Sequence, residues 1–424
     1  MRLAAAPLGC VGQMWLRCFS TATRGNCKIF VRLQAAAMAI GQRTYLDHNA
    51  TSPMRPEVAS VVAHALQLPG NASSVHAEGR AARALVETAR EKVAGLVGAR
   101  AKNVIFTSGG TEASNLVLSP SFRRLKDSAG ASRLLLGATE HPCGLNGHRF
   151  PPHAVGTIPV HADGVLDLDW LKAHLERAGG ERVLVSVQLA NNETGVLQPV
   201  AEIARLVREH GGFVHTDAVQ AAGKVPVDVA ELGVDVLTLS AHKFGGPKGI
   251  GAAILASDQI EIGERLIRGG GQEKGFRAGT ENVAGIAGFG AAADLALANL
   301  GAEAERLRAL RDEAEAHVRR IAPEAVVMAL GAERLPNTLA FAIPGLRAET
   351  ALIAFDLEGI ALSSGSACSS GKVKRSHVLD AMGVEPILAE GVLRVSLGWT
   401  TTKEDVIRFA EACERVVGTL YKRI

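Results

Sequence analysis

From Thr44 onward, short runs of β-branched residues and leucine alternate with longer stretches whose apolar residues recur at helical spacing. That alternation marks strand–helix–strand units and commits most of the chain to a largely parallel sheet flanked by helices. Strands are expected at 104–107, 133–137, 183–187, 212–216, 236–239 and 252–255. Helices are expected at 78–97, where Ala81, Leu85, Val86, Ala89, Val93 and Leu96 recur at helical spacing, and at 199–210. An Ala/Leu/Glu/Arg-rich pattern from about 283 to 320 reads as helices linking two lobes. Beyond it the pattern predicts a smaller α+β section, with strands near 337–343 and 392–397 and a final amphipathic helix from about 403. A chain of 424 residues has room for two domains or one large α/β unit.

Charge and cysteine usage narrow the class of function. Lys and Arg number 46 against 43 Asp and Glu, so the net charge of +3 gives no electrostatic case for nucleic acid or an acidic membrane surface. No uninterrupted apolar stretch approaches the roughly 18 residues of a membrane span. Cys10, Cys18, Cys27, Cys143, Cys368 and Cys413 are scattered, with no Cys-x-x-Cys pair and no metal-ligand spacing, so they read as reduced thiols and no metal site is expected. Residues 1–37 hold Arg2, Arg17, Arg24, Lys28 and Arg32 and no acidic residue. Such a segment reads either as a mitochondrial presequence or as an over-extended start, with Met38 beginning the folded protein; it is set outside the fold.

Chemistry-bearing residues follow several of the expected strands directly. The run 236–239 ends in Ser240-Ala241-His242-Lys243 before Phe244-Gly245-Gly246-Pro247. A lysine there sits at a sheet rim, where open α/β sheets bind ligands, and a partly desolvated lysine can form a Schiff base. Thr107-Ser108-Gly109-Gly110-Thr111-Glu112 forms a glycine-rich turn before a helix, suited to an anion. His141 follows the 133–137 strand and suits stacking on a flat ring and moving protons. The turn Ala190-Asn191-Asn192-Glu193-Thr194-Gly195 offers a polar side chain to a ring hydroxyl. Asp217, with Ala218, Val219 and Gln220 after it, can pair with a pyridinium nitrogen. Each signal alone has an ordinary reading as a turn, a cap or a solvated side chain. At the ends of strands in one sheet, they make sense together as a pyridoxal phosphate site.

These motifs, with Tyr45-Leu46-Asp47-His48-Asn49-Ala50-Thr51, Gly269-Gly270-Gly271-Gln272-Glu273 and Arg277-Ala278-Gly279-Thr280-Glu281-Asn282, closely resemble the cysteine desulfurases of the NifS/IscS-like branch. That branch belongs to the class V aminotransferase superfamily, and the resemblance covers nearly the whole chain after residue 40. It implies a fold-type I transferase with a large pyridoxal-phosphate-binding domain over 53–300. A smaller α+β domain, built from 38–52 and 301–424, would carry a catalytic cysteine loop. It implies that Lys243 holds the cofactor as an internal aldimine, that His141 stacks on the ring, and that Asp217 pairs with its nitrogen. Asn192 and Gln220 would bind near the ring hydroxyl, and Gly110, Thr111, Ser240 and His242 would hold the phosphate. Thr280 would reach the phosphate of a neighbouring subunit, implying a homodimer. Arg394 would clamp the carboxylate of L-cysteine, assisted by Asn71. Two positions depart from the pattern: Ala72 stands where a proline is usual, and Trp399 where an arginine is more familiar.

Ser363-Ser364-Gly365-Ser366-Ala367-Cys368-Ser369-Ser370-Gly371 is small, polar and glycine-rich, so it reads as a mobile loop with an exposed thiol. Cys368 is expected to take sulfur from the substrate as a persulfide and pass it to an acceptor protein such as an iron–sulfur scaffold. Rival readings are a selenocysteine lyase on the same scaffold, an aminotransferase, and a non-catalytic sulfur carrier. Mitochondrial members of the resembled family carry a further tail beyond the final helix, so a bacterial, cytoplasmic enzyme is the expectation, with a mitochondrial one as the alternative.

Overall fold

The computed structural model describes residues 43–127, 129–365 and 375–421. Residues 44–424 form one unit, described here by itself. The expected extension 1–37 and Cys368 lie outside the described residues.

Seven strands make the larger sheet. They are β1 (Val104–Thr107), β2 (Arg133–Gly137), β3 (Val155–Ile158), β4 (Val183–Gln188), β5 (Phe213–Asp217), β6 (Val236–Ser240) and β7 (Gly251–Leu255). Their order across the sheet is β1-β7-β6-β5-β4-β2-β3. Pairs from β6 through β3 are parallel, and β7 pairs antiparallel with both β1 and β6, so it alone in this sheet runs the other way. The near-continuous apolar runs follow from burial on both faces. Along β2, Leu134 and Leu136 enter one core with Phe122 and Phe213, while Leu135 between them enters the opposite core. The six strands expected from the sequence are present, and β3 joins them. Its sequence, Val-Gly-Thr-Ile, lies at the sheet edge and is only partly buried, so it carries no apolar run to announce it.

Helices α1 (Pro56–Leu66), α2 (Ala77–Leu96), α3 (Gly110–Val117), α4 (Leu168–Arg177) and α5 (Val200–Glu209) precede the segment expected to link two lobes. That segment is one continuous helix of 39 residues, α6 (Val283–Ile321), capped by Asn282, whose side chain accepts from Gly285 N. Its first half places Ile286, Phe289, Ala292, Ala293 and Ala296 in the core of the large sheet; its second half gives Leu307, Leu310, Ala314 and Val318 to a separate core. By length and composition α6 could cross a membrane, although charged and polar residues interrupt its apolar runs. Its apolar face is packed inside the protein, and Gly290 lies so close to α2 that a Cβ there would stand 2.5 Å from Ala89 Cα.

The second core belongs to an antiparallel sheet of β8 (Val326–Val327), β9 (Thr338–Ala342), β10 (Ser363–Ser364) and β11 (Leu393–Ser396), in the order β8-β9-β11-β10. Helices α7 (Ala348–Leu357), α8 (His377–Ala381) and α9 (Lys403–Leu420) complete this part, and Phe341, Phe355 and Phe409 form its aromatic centre. Arg394 sits on the inner strand β11, paired with Ala340 on one side and Ser363 on the other. The N-terminal strand Thr44–Tyr45 pairs with Ile360–Ala361, and Asp47 bridges to Ser396, so residues 44–49 run beside β11.

Candidate active site

Because β1, β2, β4, β5 and β6 run the same way, the turns after them all emerge at one edge of the sheet. That edge carries a cavity of about 330 Å³, within the range of small-molecule sites. Lining it are Gly110, Thr111, His141, Asn192, Asp217, Gln220, Ser240, His242, Lys243 and Arg394. Ten residues from separate strand ends, turns and the inner strand β11 thus meet around one space.

Lys243 closes the short turn Ala241–Lys243 after β6. Its Nζ donates to Asn49 O at 2.6 Å and to Ala50 O at 3.0 Å. Burial pushes the amine down to about 8, helped by the Arg394 charge and opposed by Asp217 and Asp47. An amine in that range is unprotonated, and so nucleophilic, within reach of neutral pH.

Asp217 ends β5. Its Oδ1 accepts from Val219 N at 2.9 Å, and Cys143 Sγ lies 3.7 Å from its Oδ2. Burial raises this carboxyl, and the Val219 amide and the neighbouring His141 and Lys243 pull it back. A buried carboxylate with no cation in hydrogen-bond contact is costly, and a protonated ring nitrogen is the kind of group that would satisfy it. His141 accepts from Cys143 N through Nδ1 at 3.1 Å, which leaves the neutral ring's proton on Nε2. Burial lowers its pKa, so the neutral form is the favoured one.

The glycine-rich turn enters α3, whose first N–H groups have no side-chain cap. Gly110 is closely packed: a Cβ there would stand 2.9 Å from Val219 Cγ2, which would have to shift. His242 pairs with Thr51 Oγ1 at 3.1 Å and is pushed down to about 4 by burial and by Lys243 and Lys248. A helix N-terminus with hydroxyls beside it is an anion site. Arg394 donates from one terminal nitrogen to Asn192 O at 2.9 Å and from the other to Asp47 Oδ1 at 2.8 Å. Its Nε is buried without a hydrogen-bond partner. This donor set fits a flat ring with a basic nitrogen at one end and an anionic arm at the other. Among the described residues no cluster of His, Cys, Asp and Glu is arranged for a metal ion.

Two of the described site residues, Asn71 and Thr280, are not on the cavity wall. Cys368 lies outside the described residues, although Gly365 at the near end of its segment is on the cavity wall. Asn71 is exposed and its Oδ1 accepts from Ser73 N, so within one chain it caps its own loop and is not among the residues lining the cavity. Thr280 lines a separate cleft with Ser108, Gly249 and Arg277. Gln220 does line the cavity, but its Nε2 is engaged by Asn49 O and its Oε1 by Lys224 Nζ. One N–H and one lone pair remain for a ligand.

Sequence reasoning passed over residues that hold this arrangement. Asn49 lay in a quoted motif without a role. Its Oδ1 accepts from Lys224 Nζ at 2.9 Å and Asn337 Nδ2 at 3.1 Å, and its Nδ2 donates to Thr338 Oγ1 at 2.9 Å. Lys224 is buried among neutral acceptors, and burial drives its amine well below the ordinary lysine value. Its only local signal is its spacing of four from Gln220, because a lysine reads as surface. The departures also find partners: Arg83 Nε donates to Ala72 O, and Trp399 donates to Pro53 O at 2.8 Å with Arg55 stacked 5.2 Å from its ring. A guanidinium is therefore present beside residue 399, supplied by Arg55.

The class-V aminotransferase family matches residues 44–409. Cysteine desulfurase IscS of Dictyoglomus turgidum is 40% identical over 383 residues, covering 89% of this chain and 95% of that protein. The structure of a NifS-like protein from Rickettsia africae superposes with a TM-score of 0.81 at 36% identity, over 89% of this chain and 100% of that one. SspA in complex with cysteine matches with a TM-score of 0.70 at 28% identity, over 84% and 98% of the two chains. The chain belongs to the class-V aminotransferase family and, within it, to the cysteine desulfurases.

Proposed function

We propose that the protein converts L-cysteine to L-alanine and keeps the sulfur as a persulfide on Cys368. The observation that carries this reading is the meeting of Lys243, Asp217, His141 and Arg394 around one cavity, with Gly365 on its wall. Bound pyridoxal phosphate supplies an electron sink next to the substrate's Cα. Lys243 is the residue for its covalent attachment. Asp217 would keep the proton on the ring nitrogen, and His141 would stack on the ring face. The α3 N-terminus with Gly110, Thr111, Ser240 and His242 would hold the phosphate, and Asn192 and Gln220 would serve the ring hydroxyl.

Arg394 holds the substrate carboxylate and so orients Cα toward Lys243. The Lys243 amine would take the proton from Cα; a pKa of about 8 suits it to that exchange near neutral pH. The Cys368 thiolate then attacks the substrate sulfur. The new S–S bond forms as the Cβ–S bond breaks, the carbon fragment keeps that electron pair, a proton is delivered to Cβ, and Lys243 returns its proton to Cα to complete alanine. The His141 Nε2 proton is in place to serve this stage. A protein thiol, such as one on an iron–sulfur scaffold, is the proposed acceptor of the outer sulfur. A homodimer is also part of the proposal, with Thr280, exposed beside the phosphate turn residue Ser108, serving the partner's cavity.

The test is to incubate the cofactor-loaded protein with L-cysteine and locate the added sulfur by mass spectrometry. Sulfur on Cys368, with alanine formed in equal amount, is the expected result. Cys368→Ser should keep the visible absorbance of bound cofactor and lose sulfide production from L-cysteine. Full sulfide release by that variant would sink the role given to Cys368.

A further inference from the structure

Glu193 is a buried carboxylate with no use in the reaction as drawn above, and it stands between the two ends of the segment that bears Cys368. Ser376, just past that segment, donates its hydroxyl to Glu193 Oε2 at 2.5 Å. Gly365, just before it, lies so close that a Cβ there would stand 2.5 Å from the same oxygen. Glu193 belongs to the turn that lines the cavity: its own N–H donates to Asn191 Oδ1 at 2.8 Å, and the carbonyl of adjacent Asn192 receives Arg394. Ser376 also caps α8 by accepting from Leu379 N, and the next residue, His377, pairs its Nε2 with Glu140 O at 2.9 Å, beside His141.

A side chain needed only to fill this space and accept from Ser376 would be better served by glutamine. Burying a carboxylate without a contact cation costs several kcal/mol in general, and an amide oxygen avoids that cost. The nearby Arg394 spends its short ion pair on Asp47, at 2.8 Å, and reaches Glu193 only through its charge. Burial pushes the Glu193 carboxyl up to about 7, with Ser376 and Arg394 pulling it back, so the charged form is held at the pH where thiolates begin to form. We propose that Glu193 is a positioning residue for sulfur transfer: its carboxylate pins Gly365 and Ser376, the two ends of the Cys368 segment, to the wall of the cofactor cavity. Fixing both ends sets the effective concentration of the thiol at the substrate sulfur. The inference rests on the assignment of Cys368 as the sulfur-accepting thiol.

The experiment compares full-length, cofactor-loaded wild type, Glu193→Gln and Ser376→Ala. Three readouts are taken at one pH near 8. The first is the absorbance change of bound cofactor on adding L-cysteine. The second is the single-turnover rate of persulfide formation on Cys368 by mass spectrometry. The third is the rate of tryptic cleavage after Lys372 and Lys374. Both variants should keep the absorbance change within about twofold. Persulfide formation should fall about tenfold, the scale of replacing a charge-assisted hydrogen bond by a neutral one or none. Cleavage should become faster in both. A wild-type rate of persulfide formation in the variants overturns the inference, as does a fall matched by an equal loss of the absorbance change. If Glu193→Gln fails to fold, Ser376→Ala decides, since it keeps the buried carboxyl. Wild type that carries its sulfur elsewhere than Cys368 overturns the assignment of that thiol and this inference with it, whereas unaltered variants beside a wild type labelled on Cys368 overturn this inference alone.

Discussion

Asn49 and Glu193 hold opposite sides of the same chemistry, and they do so in different ways. Every polar atom of Asn49 is occupied: its N–H by Ser396 Oγ, its carbonyl by Lys243 and Gln220, its side-chain oxygen by Lys224 and Asn337, and its amide nitrogen by Thr338 and Asn192. The partners come from β9, β11 and the turns after β4, β5 and β6, so Lys243 rests on a carbonyl with almost no freedom. On the thiol side, the described ends of the Cys368 segment meet the cavity wall through far fewer contacts, chiefly Ser376 on Glu193 and His377 on Glu140. A proton moved at Cα needs a base fixed to within a fraction of an ångström. A sulfur that must leave the cavity needs its carrier held at the ends and free between them.

The largest effect should come from breaking the lysine side. Lys243→Ala should remove the visible band of covalently held cofactor and lower turnover on the order of 10³-fold or more, as expected when a nucleophile and base are lost together. A retained band with near-normal turnover would remove Lys243 from the mechanism. Next in size is a change at the thiol side alone. Gly365→Ala places a methyl 2.5 Å from Glu193 Oε2, closer than the two can pack, so persulfide formation should drop about tenfold while the cofactor spectrum stays as in wild type. Equal damage to both would show that the two sides are not separable.

Lys224→Met tests what supports Asn49. Removing the donor leaves two acceptors with one partner fewer, a loss of about 1–3 kcal/mol. The sign with pH is distinctive. Lys224 is pushed well below 10.5 when folded, so between its folded value and 10.5 the unfolded chain binds the extra proton and wild-type stability rises with pH. That contribution is lost as pH falls through the folded value. Denaturant midpoints measured from pH 7 to 9.5 should therefore rise more steeply for wild type than for Lys224→Met; parallel curves would mean that Lys224 carries its proton in the fold. The smallest effect is expected at Trp399→Phe, which keeps a ring for Arg55 and loses only the bond to Pro53 O, about 1 kcal/mol in a urea midpoint. Cofactor loading should not change. A change in loading would mean that residue 399 acts on the lysine side.

Most of the large sheet was legible because strands buried on both faces must be continuously apolar, as in Leu134-Leu135-Leu136 and the run 236–239. The edge strand β3, half exposed and built on Val-Gly-Thr-Ile, gave no such signal. The cavity residues were legible where a reactive side chain directly follows a strand, as with Asp217 and Lys243. Asn71 was placed at the substrate by family resemblance and stands exposed, not among the residues lining the cavity in the single chain. Lys224 and Glu193 were not legible at all as functional residues. A buried lysine and a buried glutamate look like surface residues in a sequence, and the atoms that explain them lie 175 and 183 positions away.

The order of strands and turns, and the residue types placed at the strand ends, were determined by local pattern. Side-chain period and turn chemistry act over a few residues, so any reader of the chain can recover them. The tertiary structure alone decided which turns share a cavity, that Lys243 rests on the carbonyls of Asn49 and Ala50 with its pKa lowered to about 8, and that Glu193 stands against both ends of the Cys368 segment. Those features depend on burial and on contacts between distant segments, and neither is written in local spacing.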